Sequence, residues 1–261
     1  MNQAIPRLYL IVPVLNEAGN MPKLMADVRQ LAVDLADQWH LAFCLVDDGS
    51  TDDTGPVATS LAAGLDFRLL RHDTNQGPGA AFGTGFAYLT SHLQPEDWVV
   101  TMEGDNTSRL TTLQQMLTRS REGFDVVLAS PHMYGGGFSE TAASRVLISQ
   151  ISGAFVKACL GIRGINTVSS FFRLYSAPII RRLQGAFGEQ IIERPGFENM
   201  VELLLKLIYV KATISEVALT LDTAARVGRS KMRVMRTTMG YLALTRHLDR
   251  WRAKARSMAT V

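Results

Sequence analysis

The sequence predicts an α/β protein: a mainly parallel sheet with helices on both faces, followed by a C-terminal amphipathic helical tail. Three observations predict it. Short, continuously apolar runs recur along the first half of the chain, segments of helical period separate them, and each run ends in a cluster of polar residues or glycine. The 261 residues are 47% hydrophobic and 20% charged, the composition of a folded globular chain rather than a disordered or fibrous one.

Leu8-Tyr9-Leu10-Ile11-Val12, closed by Pro13, reads as a strand buried on both faces. Residues 21–37 place Leu24, Met25, Val28, Leu31, Ala32 and Leu35 at helical spacing, with Asn20 as the N-cap. Leu41 to Val46 is a second buried strand, stopped by Asp47-Asp48-Gly49-Ser50, and after a short helix Phe67 to Leu70 is a third. A turn holding Gly77 and Gly79 opens the next helix. Trp98 to Met102 is the fourth strand, ending at Glu103-Gly104-Asp105, and Val126 to Ala129 is the fifth. After Ser130 the alternation fades. Gly135-Gly136-Gly137 reads as a mobile loop, and Ala143–Leu160 and Phe197–Val210 as helices. The division expected is a domain over residues 1–230 and a tail over 231–261.

Several classes are excluded. Two cysteines, Cys44 and Cys159, are too few for a disulfide framework or a cysteine-based zinc site, and both are expected to be reduced in a cytosolic compartment. The first residues lack a basic segment followed by an apolar one, so no secretory leader is expected. Met200 to Ile214 is strongly apolar but broken by Glu202, Lys206 and Lys211, too short to span a bilayer. Glu198 and Glu202 share one helix face and read as first-turn acids favoured by the helix dipole. Gly77-Pro78-Gly79 is not a dinucleotide fingerprint, because Phe82 stands where the third glycine belongs.

Asn16 and Glu17, Asp47 and Asp48, and Glu103 and Asp105 all fall at strand C-termini, where open α/β sheets bind ligands. Glu103 and Asp105 could hold a hard divalent cation, since Mg²⁺ takes one or two carboxylates plus substrate phosphates. They could equally cap the helix near Leu110, as Asp47 and Asp48 could form an Asx turn with Ser50 and Thr51. None of the five histidines (40, 72, 92, 132, 247) forms a metal-like or triad-like grouping in the sequence.

Taken in order, Pro13-Val14-Leu15-Asn16-Glu17, Val46-Asp47-Asp48-Gly49-Ser50-Thr51-Asp52, Asn75-Gln76-Gly77 and Glu103-Gly104-Asp105 resemble family 2 glycosyltransferases of the GT-A fold. Thr167-Val168-Ser169-Ser170-Phe171-Phe172 and Arg226-Val227-Gly228-Arg229-Ser230-Lys231 are similar to segments of the polyprenyl-phosphate branch, and within it of the dolichyl-phosphate mannose synthases. The likeness covers about residues 7–236. It departs from the usual pattern at Leu15 (Tyr), Glu103 (Asp), Thr107 (Gln), Pro131 (Arg) and Asn166 (Asp). The resemblance implies an inverting, metal-dependent transfer of a hexose, mannose from GDP-mannose above all, to a polyprenyl or dolichyl phosphate. Pro13, Leu15, Glu17, Val46 and Asp48 would contact the nucleoside. Asp105 would hold Mg²⁺ or Mn²⁺ on the diphosphate, with Glu103 beside it and Gly104 and Thr107 in the same loop. Arg226 and Lys231 would bind phosphate, Ser169 would line the substrate site, and Arg145 is a further candidate for the acceptor phosphate. Another lipid or a soluble acceptor on the same fold, or a non-catalytic nucleotide-sugar-binding protein, are the alternatives.

Charge is divided unevenly. Residues 231–261 carry eight basic side chains against Asp249 alone, leaving 19 basic and 23 acidic for the rest, a net of −4. That is not the spread basic face of a nucleic-acid binder. Tyr241, Leu244, Leu248, Trp251, Ala255 and Met258 form one helical stripe opposite Arg246, Arg250 and Lys254. The expectation is that residues 238–258 lie on the cytoplasmic face of a membrane, stripe downward, with helix-on-body packing as the other reading. A membrane-anchoring subunit is a further candidate partner.

Overall fold

The computed structural model describes residues 5–139, 141, 143–225, 227 and 234–258. The apolar runs form strands as their periodicity requires: β1 (Arg7–Val14), β2 (His40–Asp47), β3 (Asp66–Arg71), β4 (Trp98–Thr101) and β5 (Val126–Ser130). Between them lie α1 (Met21–Leu35), α2 (Thr54–Ser60), α3 (Pro78–Thr90) and α4 (Thr112–Ser120). Side chains alternate across β1, so Leu8, Leu10, Val12 and Val14 enter one core with α1 and α4, while Tyr9 and Ile11 enter the other with α3. Two cores, one on each face of the sheet, follow from that alternation.

The sequence missed the middle of the sheet. β7 (Arg173–Ser176) inserts antiparallel between β4 and β5, and β8 (Ile214–Ala218) adds parallel to β5, giving the order β3-β2-β1-β4-β7-β5-β8. β7 is four residues long and begins with an arginine that is fully buried, so it has no apolar run to betray it. Ser176 caps α6 (Ala177–Phe187), its hydroxyl accepting from the Ile179 amide at 3.3 Å. Gly137 is not loop: it starts β6 (Gly137–Ser139), which pairs with β9 (Thr220–Asp222) in a separate ribbon. The helix α5 (Ala143–Leu160) has the bounds its pattern predicted.

Two readings are corrected and a third is refined. Asn20 does not cap α1; it is buried, and its amide bonds Glu17 and the Val227 backbone instead. Glu202 is the first-turn acid of α7 (Asn199–Tyr209) that its position predicted, but with Lys206 it is wholly buried, the two 2.6 Å apart. The tail stripe does not face a membrane. The tail is α8 (Val234–Ala243), a 3₁₀ turn (Leu244–His247) and α9 (Leu248–Met258), and α9 packs on α6 and α7. Tyr241, Leu244, Trp251 and Ala255 are buried there, while Arg246, Arg250 and Lys254 face solvent. The pattern was right about the two faces; the protein's own core covers the apolar one. Among the described residues no helix is long and apolar enough to cross a membrane.

Candidate active site

β1 pairs in parallel with β2 on one side and β4 on the other, and the chain runs from β1 to β2 and β3 before crossing back to β4. The ends of β1 and β4 therefore flank the point where strand order reverses, and such a point opens a crevice past the strand C-termini. Glu17 follows β1, and Glu103 and Asp105 follow β4. A cleft of about 570 Å³ bordered by Arg7, Trp39, His40 and Asp66 lies at the other end of the strands, away from these carboxylates.

The loop after β1 is tied to the loop after β2. Asn16 adopts a left-handed φ of 51°, a conformation asparagine tolerates. Its amide donates to Ser50 Oγ at 2.8 Å, its side-chain oxygen accepts from the Thr51 amide at 2.8 Å, and the Glu17 amide donates to Thr54 Oγ1 at 2.8 Å. Pro13, Leu15 and Glu17 are half-buried and Val46 is buried. Asp47 forms the Asx turn its sequence allowed, accepting from the Ser50 amide at 2.8 Å. Asp48 reaches the other way. It accepts from the Gln76 and Gly77 amides at 2.9 and 2.8 Å and contacts His72 Nδ1 at 2.8 Å. His72 Nε2 in turn meets Thr84 Oγ1 at 2.9 Å. This Asp48–His72–Thr84 relay was missed from sequence, although a histidine directly after a strand beside an acidic turn was the available signal.

The loop after β4 is held as tightly. Asp105 Oδ1 accepts from the Thr107 amide at 3.1 Å and the Thr107 hydroxyl at 2.6 Å, so Thr107 orients the carboxylate. Glu103 Oε2 accepts from Ser108 Oγ at 3.1 Å. A Cβ on Gly104 would lie 2.5 Å from Val14 Cγ1, so only glycine lets the loop lie against β1. Asn106, at φ 62°, donates from Nδ2 to the Asn20 carbonyl at 2.9 Å. Asn20 thus gathers the Glu17 loop, the Asn106 loop and Val227, whose amide donates to Asn20 Oδ1 at 2.9 Å. The strand leading there is anchored too, the Asp222 amide donating to the Thr107 carbonyl at 2.9 Å. Arg226 and Lys231 lie outside the described residues, on either side of Val227 in the chain. Arg145 falls in the first turn of α5, and its side chain is likewise outside them.

Antiparallel pairing of β7 with β4 returns residues 169–171 along the end of β4, where Thr101 Oγ1 donates to the Phe171 carbonyl at 2.7 Å. Ser169 is exposed there and hydrogen-bonds Tyr241, whose hydroxyl burial pushes up to about 12 against that bond. Arg173 was also missed. Its guanidinium is fully buried and donates to the carbonyls of Ser170, Met200 and Val168 at 2.7, 2.9 and 2.8 Å. Burial lowers its pKa, opposed by Tyr175, Tyr241 and Glu103.

Glu17, Glu103 and Asp105 follow the strand ends that flank the switch point of a mainly parallel sheet, the architecture of an α/β protein whose ligand site lies beyond the strand ends. Residues 9–183 match the sequence profile described as Glycosyl transferase family 2, and the chain belongs to that family: it is a glycosyltransferase. It is 26% identical over 236 residues to a polyprenol monophosphomannose synthase of Mycolicibacterium smegmatis, covering 87% of this chain and 81% of that one. It is 23% identical over 178 residues to an undecaprenyl-phosphate 4-deoxy-4-formamido-L-arabinose transferase of Salmonella choleraesuis, spanning 67% of this chain and half (50%) of that protein. The fold is that of glucosyl-3-phosphoglycerate synthase from Mycobacterium tuberculosis, solved with Mn²⁺, UDP and phosphoglyceric acid, at a TM-score of 0.63 and 17% identity over 96% of this chain and 78% of that one.

Proposed function

We propose that this glycosyltransferase moves a hexosyl group, mannosyl from GDP-mannose in our reading, to a polyprenyl or dolichyl phosphate. The observation that carries the reading is that Asn20 bonds Glu17 past β1, Asn106 past β4 and Val227, while the Asp222 amide bonds the Thr107 carbonyl of the β4 loop. The similarity to a polyprenol monophosphomannose synthase over most of both chains supports the acceptor class.

The donor set fits a divalent cation. Glu103 and Asp105 offer two carboxylates, hard oxygen donors, in one loop, with Thr107 and Ser108 hydroxyls bonded to them. That suits Mg²⁺ or Mn²⁺, which can complete its shell with the oxygens of a diphosphate. Such an ion, when bound, neutralises charge developing on the leaving diphosphate. The chain does the rest. Pro13, Leu15, Glu17, Val46 and Asp48 border the nucleoside side, and Thr107 fixes the Asp105 carboxylate. Arg226 and Lys231 bind phosphate in this reading, Arg by a bidentate fork and Lys as a point charge. An oxygen of the acceptor phosphate attacks the anomeric carbon, the bond to the diphosphate breaks, and the nucleoside diphosphate leaves with the electron pair, inverting the centre. The attacking oxygen is already anionic, so no general base is required.

An acceptor of this kind places the enzyme at a membrane surface, and the structure offers a different face from the tail stripe. α5 presents Leu147, Ile151 and Phe155 at 56, 61 and 51% exposure, spaced four residues apart, beside Met239 and Leu242 of α8. The helix holds no acidic residue, and its two charges, Arg145 and Lys157, are basic. An exposed apolar face on a helix whose only charges are basic suits an anionic lipid surface, on the cytoplasmic side in our reading.

The test is direct. Purified protein with Mg²⁺ or Mn²⁺, GDP-mannose and polyprenyl phosphate is expected to yield mannosyl lipid and GDP. If every nucleotide sugar offered stays intact, the proposal fails.

A further inference from the structure

The side-chain network around Glu193 takes no part in the chemistry above, yet it joins the C-terminal helix to the donor side of the crevice. Glu193 lies in the irregular segment between α6 and α7. Trp251 of α9 donates from Nε1 to Glu193 Oε1 at 3.2 Å, Arg250 of α9 bonds Glu193 Oε2, and Lys206 of α7 lies 3.4 Å from Oε1. Lys206 Nζ also donates to the Ile191 carbonyl at 2.9 Å and sits 5.0 Å from both the Phe187 and Trp251 ring centres. Glu202 accepts from the Glu193 and Arg194 amides, each at 2.8 Å. The segment is gripped from two helices.

Its far side bears on the loop that Asp48 holds. The Gly79 amide donates to the Pro195 carbonyl at 2.7 Å. A Cβ on Gly77 would fall 2.4 Å from Pro195 O, and one on Gly79 would fall 2.0 Å from Arg194 O, so the two backbones touch with no side chain between them. Residues 76–79 are thus held between Asp48 and the 194–195 carbonyls. Any play in the 193–195 segment passes straight to the amides that Asp48 receives.

We infer that α9 is a positioning element for nucleotide-sugar binding: through Trp251 and Arg250 it clamps Glu193, and the clamped segment fixes residues 76–79 at the donor pocket. Glu193 and Trp251 are positioning residues, touching neither substrate nor the reacting atoms. The inference rests on the proposed donor site at the strand ends.

The experiment uses the full chain with Glu193→Gln and Trp251→Phe. The first removes the charge that Arg250 and Lys206 face; the second keeps a ring against Lys206 but removes the indole N–H. Without ligand, the Gln76, Gly77 and Gly79 amides are expected to exchange hydrogen about tenfold faster in both variants. The KM for GDP-mannose is expected to rise about fivefold with kcat nearly unchanged, as for loss of a supporting contact one step removed from the ligand. Val28→Ala, in the opposite core, lowers the unfolding midpoint but should leave exchange at 76–79 as in the native chain. Unchanged exchange at 76–79 in Glu193→Gln and Trp251→Phe overturns the clamp. Faster exchange with an unchanged donor KM overturns the positioning role. If the native chain binds no nucleotide sugar, the donor reading fails and takes the positioning role with it, while the exchange arm still decides the clamp.

Discussion

Asp105 and its neighbours show how much of a site is support. The carboxylate is oriented by one hydroxyl and one amide from Thr107, and the loop reaches β1 only because residue 104 has no Cβ. Asp105→Ala is expected to abolish turnover in a mannosyl-transfer assay, and substantial residual rate would remove the residue from the proposed metal role. Thr107→Val keeps the shape and loses the 2.6 Å bond, so a fall of about tenfold in kcat/KM is expected, the size typical of supporting groups around a metal ligand. Gly104→Ala forces a methyl to 2.5 Å from Val14 Cγ1. Overpacking of that kind costs about 1–3 kcal/mol and should lower the thermal midpoint as well as the rate.

Among the elements, α7 carries the least expected chemistry. Its Glu202 and Lys206 are both buried, and removal of one partner from such a pair costs about 3–5 kcal/mol because the other charge is stranded. Lys206→Met should therefore lower the denaturant midpoint sharply, and adding Glu202→Gln should restore part of the loss. Glu193 adds a pH dependence. Burial pushes its pKa up, but the Lys206 ammonium and Arg250 guanidinium outweigh that and hold it below the ordinary value of 4.5. A carboxyl lowered on folding stabilises fully above its unfolded pKa, and the gain is lost as pH falls through the folded value. The difference in thermal midpoint between the native chain and Glu193→Gln should be constant above about pH 5.5 and shrink below about pH 4.5. A constant difference down to pH 3 would remove Glu193 as its source.

At the level of the whole molecule, two amphipathic surfaces compete for the membrane role, and burial separates them. Trp251 has no exposed surface, so vesicle binding cannot use it without undocking α9, whereas Ile151 is 61% exposed. The double variant Ile151→Glu/Phe155→Glu is expected to lose co-sedimentation with phosphatidylglycerol vesicles while keeping its unfolding midpoint, and native binding should weaken as salt rises. Unaltered sedimentation of the double variant would take the lipid role away from α5. Retention of binding only with a membrane protein present would assign the face to an anchoring subunit instead.

Much of this molecule was legible in its residues. Four strands (β1, β2, β4 and β5), their order along the chain and the polar clusters at their ends follow from continuous apolar runs, because a strand buried on both faces leaves no other pattern; β3, interrupted by Arg68 and only partly buried, was legible from the apolar residues around it. The Glu103-Gly104-Asp105 and Asp47-Asp48 turns were legible for the same reason. What the residues alone could not decide was what covers each surface. The stripe of Tyr241, Leu244 and Trp251 has one apolar face whether lipid or α6 and α7 lies against it, and helical period cannot tell them apart. Likewise Arg173, Glu202 and Lys206 look like surface charges until partners distant in sequence supply the carbonyls, amides and rings that let them be buried. Local amphipathicity is written in the sequence; the identity of the facing surface is a long-range contact, and only the tertiary structure fixes it.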